Sequence, residues 1–147
     1  MRECGAHHVI DHRQPLVSQV EALGLGAPGY VFSTTHTGEH LSDIVQLIAP
    51  QGRFGLIDDP DVLDAKPFKQ KAVSLHWEFM FTRPVFDTPD LAEQGKLLNE
   101  VAALVDAGRI RSTATEIAGR IDAATLRAVH GQIESGTARG KIVLEGF

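Results

Sequence analysis

The sequence predicts an α/β protein built on a parallel sheet, and three observations carry that reading. Turn residues cut the chain into short apolar, β-rich runs that alternate with amphipathic ones. "GYVFST", a helical run and "RFGLID" follow one another within about thirty residues, the length of a strand–helix–strand unit with parallel strands. At 147 residues and 43% apolar composition, the chain can bury the core of one globular domain.

Each element follows from its own signals. "GAHHVIDHR" places a short strand around Val9-Ile10. Pro15 suits a first helical position; Leu16, Val17, Val20 and Leu23 then share a face, and Gly24 and Gly26 end the helix. "GYVFST" after a Pro-Gly turn is a buried strand. Thr37 is the expected N-cap of the next helix, with Glu39 in its first turn; Leu41, Ile44, Val45 and Ile48 face inward, and Pro50 and Gly52 stop it. "RFGLID" (Arg53 to Asp58) is a second strand, and "AVSLHWEFMF" (Ala72 to Phe81) is a longer, aromatic one. Thr88-Pro89 predicts a helix start, with Leu91, Leu98, Val101 and Val105 on one face and Gly108 at its end. Asp122 caps a last helix carrying Leu126, Val129 and Ile133 up to Gly136, and "KIVLEGF" is a terminal strand.

Composition excludes several classes. The net charge of −5 argues against a nucleic-acid or anionic-membrane surface. No apolar run approaches the roughly 20 residues of a membrane span. One cysteine, Cys4, forms no internal disulfide and fits a reducing cytoplasm. The seven histidines show no Cys-x-x-Cys or His-Glu-x-x-His spacing. His36 and His40 stand four apart, but His36 precedes the expected cap and shares no helical face with His40. His7 and His8 would point to opposite faces of a strand. No Ser, His and acid stand in a motif that singles out a triad. In open parallel sheets, ligands bind at the carboxyl ends of strands. That rule points to two polar clusters, Ser33-Thr34-Thr35 and Asp58-Asp59.

Five segments then occur in a telling order: "GAHHVIDHR", "VFSTTHTGEHL", "LIAPQGRFGLID", "SLHWEFMFTRP" and "LVDAGRI…IESGTARGKIVLEGF". Together they resemble the C-terminal portion of zinc-type alcohol dehydrogenase and quinone oxidoreductase-like proteins of the medium-chain dehydrogenase/reductase superfamily, over essentially the whole chain. The resemblance implies a partial Rossmann-like, doubly wound parallel sheet lacking its first strands and Gly-rich turn. Residues 1–147 would form the C-terminal part of the nucleotide-binding domain plus a segment returning toward a catalytic domain outside this sequence. Its Gly-x-Gly-x-x-Gly stretch, Gly24 to Gly29, runs from a helix end into a strand, so the strand-to-helix turn whose glycines and helix N-terminus grip a dinucleotide's pyrophosphate is not found in the sequence.

The resemblance also implies an NAD(P)-dependent oxidoreductase, with NADPH preferred over NADH, that passes hydride to a quinone, enone, aldehyde or alcohol substrate. This chain alone would be inactive and would bind NADPH weakly or not at all. It implies no zinc bound here, because the family's zinc ligands lie in the other domain. On the cofactor, His12 would contact the adenosine end and Arg13 the 2′-phosphate; both also read as solvated loop residues. Ser33, Thr34 and Thr35 match the approach to the nicotinamide ribose and diphosphate, and equally suit helix capping. Ile57 and Asp58 match the nicotinamide position, where the Asp58-Asp59 pair departs from the family's usual glycine. Phe81 and Thr82 belong to a stretch, beginning at Phe79, whose backbone meets the carboxamide in relatives. An aromatic strand is also core or interface material, and in the superfamily this strand pairs with its copy across a dimer. A homodimer through Ala72–Phe81 is therefore expected, with Trp77, Phe79 and Phe81 on one face. The resemblance places two further strands between "HHVIDH" and "GYVFST", and their absence would leave edges open to another chain. Two other readings use the same residues: a non-catalytic α/β module that self-associates through its edge strand, and a binding domain for an unrelated small molecule or nucleotide.

Overall fold

The computed structural model describes residues 1–146 and divides the chain into two compact units, Met1–Leu91 and Ala92–Phe147.

In the first unit, Leu16–Ala22 forms α1, with Pro15 immediately before it. The strand–helix–strand unit is β1 (Tyr30–Ser33), α2 (Thr37–Leu47) and β2 (Arg53–Leu56). A third strand, β3 (Ser74–Trp77), completes a parallel sheet of order β1-β2-β3. Its register aligns Val31 with Phe54 and Leu75, and Ser33 with Leu56 and Trp77. Side chains alternate across a sheet, so these rows share one face. That face meets Ile44 of α2, Ile48 just after it and Phe68 of a 3₁₀ turn (Lys66–Lys71), and Ile48, Phe54 and Leu56 are fully buried. The rings of Phe54 and Phe68 stack at 5.4 Å. Lys71 Nζ donates to the carbonyls of Gln46 and Ile48, each at 2.7 Å, and so closes the far end of α2.

The opposite sheet face is open. Tyr30 and Phe32 are exposed there, and Phe32 lies over Gly55, where a Cβ would come within 2.9 Å of the Phe32 ring. The glycine thus lets the aromatic side chain fold down across the neighbouring strand.

Several expectations need correction in this unit. Residues 7–12 form no strand: Val9 and Ile10 have no ladder partner among the described residues, and a strand exists only through its neighbour. Thr37 is the first residue of α2 rather than its cap; the position before it is His36, in the left-handed region with φ 54°. The strand expected over Ala72–Phe81 is only four residues long. After Trp77 the chain turns into a short helix, α3 (Thr82–Phe86), so Phe79 and Phe81 do not continue the alternation. Thr88 does not start a helix either. Its hydroxyl donates to Asp90 Oδ1 at 2.6 Å in a local turn, and that bond competes with a helical cap.

In the second unit, α4 (Glu93–Asp106) ends before Gly108, which takes the expected left-handed conformation. A strand not foreseen in the sequence follows, β4 (Ala114–Arg120). It pairs in parallel with β5 (Lys141–Glu145), joined through α5 (Ala123–Glu134), which packs on β4. This is a second strand–helix–strand unit. Asp122 caps α5 as expected, accepting from the Thr125 amide at 2.8 Å. Gly140, with φ +74°, brings β5 beside Thr113, where a Cβ would lie 2.5 Å from a carbonyl oxygen. The predicted strand "KIVLEGF" extends to Phe147, which lies outside the described residues.

Candidate functional site

The site is built where β1, β2 and β3 end side by side. The Ile57 amide donates to the Ser33 carbonyl at 3.2 Å, and the Glu78 amide donates to the Leu56 carbonyl at 3.0 Å. Three loops therefore leave the sheet from one edge: Thr34–His36, Ile57–Val62 and Glu78–Phe81.

The first two loops enclose an open cleft of about 370 Å³ between the start of α2 and the end of β2. At its base Thr37, which is fully buried, joins the two elements. Its amide donates to Asp58 Oδ2 at 3.0 Å, its hydroxyl donates to Asp58 Oδ1, and it shares a 2.7 Å bond with Ser33 Oγ. Because the Thr37 proton goes to the carboxylate, the Ser33 hydroxyl donates to Thr37. The result is a directed chain from Ser33 to Thr37 to Asp58. The Thr37 hydroxyl, then the Thr37 amide, hold the Asp58 carboxyl below the usual carboxylate range; desolvation opposes them, and the Asp58 amide and the His36 charge add to them. Above it, Thr35 Oγ1 and His36 Nδ1 lie 2.9 Å apart.

The cleft is acidic. Glu39, Asp58, Asp59 and Asp61 line it against a single basic candidate, His36. Such a lining opposes a cofactor's diphosphate and tolerates a neutral or cationic ring. The residues present therefore suit the nicotinamide end of a dinucleotide and not its phosphates.

The other expected contacts are distributed around this cleft. His12 meets the His40 ring edge-on at 6.2 Å. Arg13 is paired with Asp11 through Nε at 3.0 Å and Nη2 at 3.2 Å, and its guanidinium is exposed. That partner holds the Asp11 carboxyl down and the Arg13 pKa up, so Arg13 already has an anion. Thr34 and Ile57 are exposed at the strand ends. Phe81 packs edge-to-face on Phe79 at 5.5 Å. Thr82 lines a separate hollow of about 320 Å³ with Trp77, Glu78, Phe79, Arg83, Thr88 and Asp90. There Thr88 first, then Arg83 at 3.0 Å, hold the Asp90 carboxyl down. The structure thus brings Ser33 and Asp58 together through Thr37, while Thr82 lines a hollow that shares no residue with the cleft. Thr37 is the residue that reading the sequence assigned to the wrong task. Its partner lies 21 positions away, and no local pattern encodes that. Among the described residues, no group of three or more His, Cys, Asp or Glu side chains is placed to hold a metal ion.

Comparison with known proteins completes this picture. A zinc-type alcohol dehydrogenase-like protein of Staphylococcus aureus is 28% identical over 144 residues, covering 95% of this chain and 42% of the relative. The chain therefore spans about two fifths of the curated relatives it matches. A crystal structure of a protein from Rhizobium etli CFN 42, assigned as a zinc-dependent alcohol dehydrogenase, shares 62% identity. It superposes with a TM-score of 0.91 over 99% of this chain and 43% of its own. A protein from Bacillus thuringiensis assigned as an NADPH:quinone reductase shares the fold at 18% identity, with a TM-score of 0.73 over 99% of this chain and 44% of its own. The Rossmann-like α/β fold of medium-chain alcohol dehydrogenases is thereby shown. The family model for zinc-binding dehydrogenases matches residues 4–144, and the chain belongs to that family.

Proposed function

We propose that the chain forms the nicotinamide-side part of an NAD(P)-dependent oxidoreductase that transfers hydride between the cofactor and a quinone, enone, aldehyde or alcohol. The family match over residues 4–144 carries this reading, and the polar strand ends at the carboxyl edge of the sheet agree with it. NADPH is the preferred cofactor. The chain's share of the chemistry is position and electrostatics: the Ser33–His36 turn and the end of β2 would border the nicotinamide, whose hydride chemistry belongs to the cofactor itself. The acidic cleft and the engaged Arg13 leave the phosphates to groups outside this chain, so the chain alone is inactive; on this reading zinc, too, belongs to the other domain. The proposed setting is cytoplasmic, and no helix among the described residues is long and apolar enough to cross a membrane.

The chain also self-associates as a homodimer through Ala72–Phe81. In support, β3 is an edge strand of its sheet, and Trp77, Phe79 and Phe81 are all more than half exposed. Phe79→Lys should shift the mass seen by light scattering from dimer to monomer at micromolar concentration; a wild-type monomer that remains folded would refute the dimer.

The test of function joins the chain to an upstream cofactor-binding half. The joined protein should oxidise NADPH when a quinone or conjugated carbonyl is supplied, whereas the 147-residue chain should give little or no heat on calorimetric titration with NADPH. A folded joined protein that ignores both cofactors would defeat the reading.

A further inference from the structure

We propose that Asp58 is a positioning residue, a latch whose carboxylate caps α2 from the end of a neighbouring strand and fixes the Ser33–His36 turn. The assignment deepens the reading above, on which that turn borders the nicotinamide, and it removes Asp58 from the candidate cofactor ligands.

Four observations converge on it. First, α2 lacks a side-chain cap of its own, yet its first amide, that of Thr37, is satisfied by Asp58 Oδ2 at 3.0 Å. A helix start needs such an acceptor, and a carboxylate there also complements the helix dipole. The acceptor comes from 21 residues away, so it ties two elements together as an ordinary cap cannot. Second, both carboxylate oxygens are turned to Thr37, one to its amide and one to its hydroxyl. Thr37 is the buried polar side chain among the described residues, and burial makes an unmade bond there costly. Third, Ser33 Oγ extends the chain at 2.7 Å, so the last residue of β1 and the first residue of α2 are held to one point. Fourth, the turn between them contains His36 at φ 54° and ψ 30°. A non-glycine residue keeps that conformation only where its surroundings over-determine it. The latch supplies that constraint.

The charged and titratable groups facing Asp58 are His36 and Glu39 from the α2 side, and Asp59 and Asp61 from its own loop. Three of these four are acidic, so the surroundings offer the Asp58 charge little beyond Thr37. An oxygen already committed to Thr37 would have to give up that bond to meet a ligand.

Amide hydrogen exchange on the 147-residue chain tests the latch without any cofactor. Asp58→Ala and Thr37→Val should each speed exchange at Thr37 through His40 by about tenfold or more, the size expected for losing a charge-assisted bond. The double variant should be no faster than Asp58→Ala alone, because the hydroxyl bond that Thr37→Val removes is one of the two that Asp58→Ala already removes. Thr37→Ser, which keeps the hydroxyl, should stay near wild type. Where Asp58→Ala fails to fold, Thr37→Val reads the hydroxyl half of the latch, since the backbone amide at position 37 still donates to Asp58 Oδ2. Unchanged exchange in the folded single variants, or additive effects in the double, would overturn the latch. A second readout addresses the alternative role. If NADPH perturbs the wild-type amides, and this response vanishes in Asp58→Ala but persists in Thr37→Val although exchange at Thr37 through His40 has risen as far in both, then Asp58 is a ligand and the latch assignment falls. Equal loss in both variants supports it. A chain indifferent to NADPH bears on the proposed function, while the exchange cycle still decides the latch.

Discussion

The two units of this chain use the same motif and bury very different cores. Met1–Leu91 folds β1, α2 and β2 around Ile44, Ile48, Phe54, Leu56 and Phe68, all buried. Ala92–Phe147 repeats the strand–helix–strand arrangement in β4, α5 and β5, yet among its described residues only Val129 is buried. Leu97, Leu98, Ile117 and Ile133 of that unit stay more than half exposed. The contrast lies in what the strands pair with. In the first unit β2 is central and buries Phe54 and Leu56 against α2. In the second, both strands of the pair are edges, and two irregularities interrupt their register. A shared topology therefore does not confer a shared core; the number of strands in the sheet and the apolar side chains that meet the helix do.

The sharpest way to break this comparison is to empty the first core. Phe54 is fully buried and stacked on Phe68. Phe54→Ala should cost the first unit about 3–5 kcal/mol, through lost burial plus the cavity left behind. The chain's one tryptophan, Trp77, lies in this unit, so its fluorescence in urea should report the shift directly. Protection at the amides of α5 should barely change. A transition of Trp77 that does not move would show that the stacked pair is not what holds the sheet to α2.

The corresponding change in the second unit should be smaller. Val129 is 8% exposed, and Val129→Ala removes two methyl groups, worth about 1.5 kcal/mol in transfer terms. The expected readout is faster amide exchange across α5 and β4 with an unaltered Trp77 transition. A loss as large as that of Phe54→Ala would mean that the second unit has a tighter core than its exposed side chains indicate.

Many of the elements were legible in the sequence, and what was missed has a physical cause. Pro-Gly before β1, Pro50 and Gly52 after α2, and the apolar spacing between them all act locally, and the element bounds agree closely. Asp122 likewise announces α5, because a cap acts within three residues. By contrast, β4 carries Ala114, Gly119 and several polar residues, a composition with weak strand preference. It is a strand because β5, more than twenty positions later, pairs with it. The aromatic run after β3 misled in the opposite sense. Trp77, Phe79 and Phe81 alternate as a strand would, but β3 stops at Trp77, and Phe81 precedes α3. Of the candidate site, Ser33 and Asp58 follow from the general place of ligands in parallel sheets. Their link through Thr37 was not legible, since a threonine three residues past a strand reads as a cap whether or not a distant carboxylate claims it.

The smallest expected effect compares how the two units respond to acid. Asp58 in the first and Asp122 in the second are both held below the ordinary carboxylate value, Asp58 chiefly by the Thr37 hydroxyl and Asp122 chiefly by the Thr125 amide. A carboxylate whose folded value is depressed binds its proton more tightly in the unfolded chain. Its contribution is therefore complete above the ordinary carboxylate value and is lost as the pH falls through the folded one. Each unit should loosen at its own helix start in acid: α2 at Thr37 and α5 at Thr125. Exchange referenced to unstructured peptides, measured at about pH 5 and about pH 3, should show protection falling at both positions in the wild type. Asp122→Ala should abolish the fall at Thr125 and leave the fall at Thr37 intact, because the two carboxylates act on different helices. Protection at Thr125 that still falls with acid in Asp122→Ala would assign the effect to another group and remove Asp122 as the determinant of that helix start.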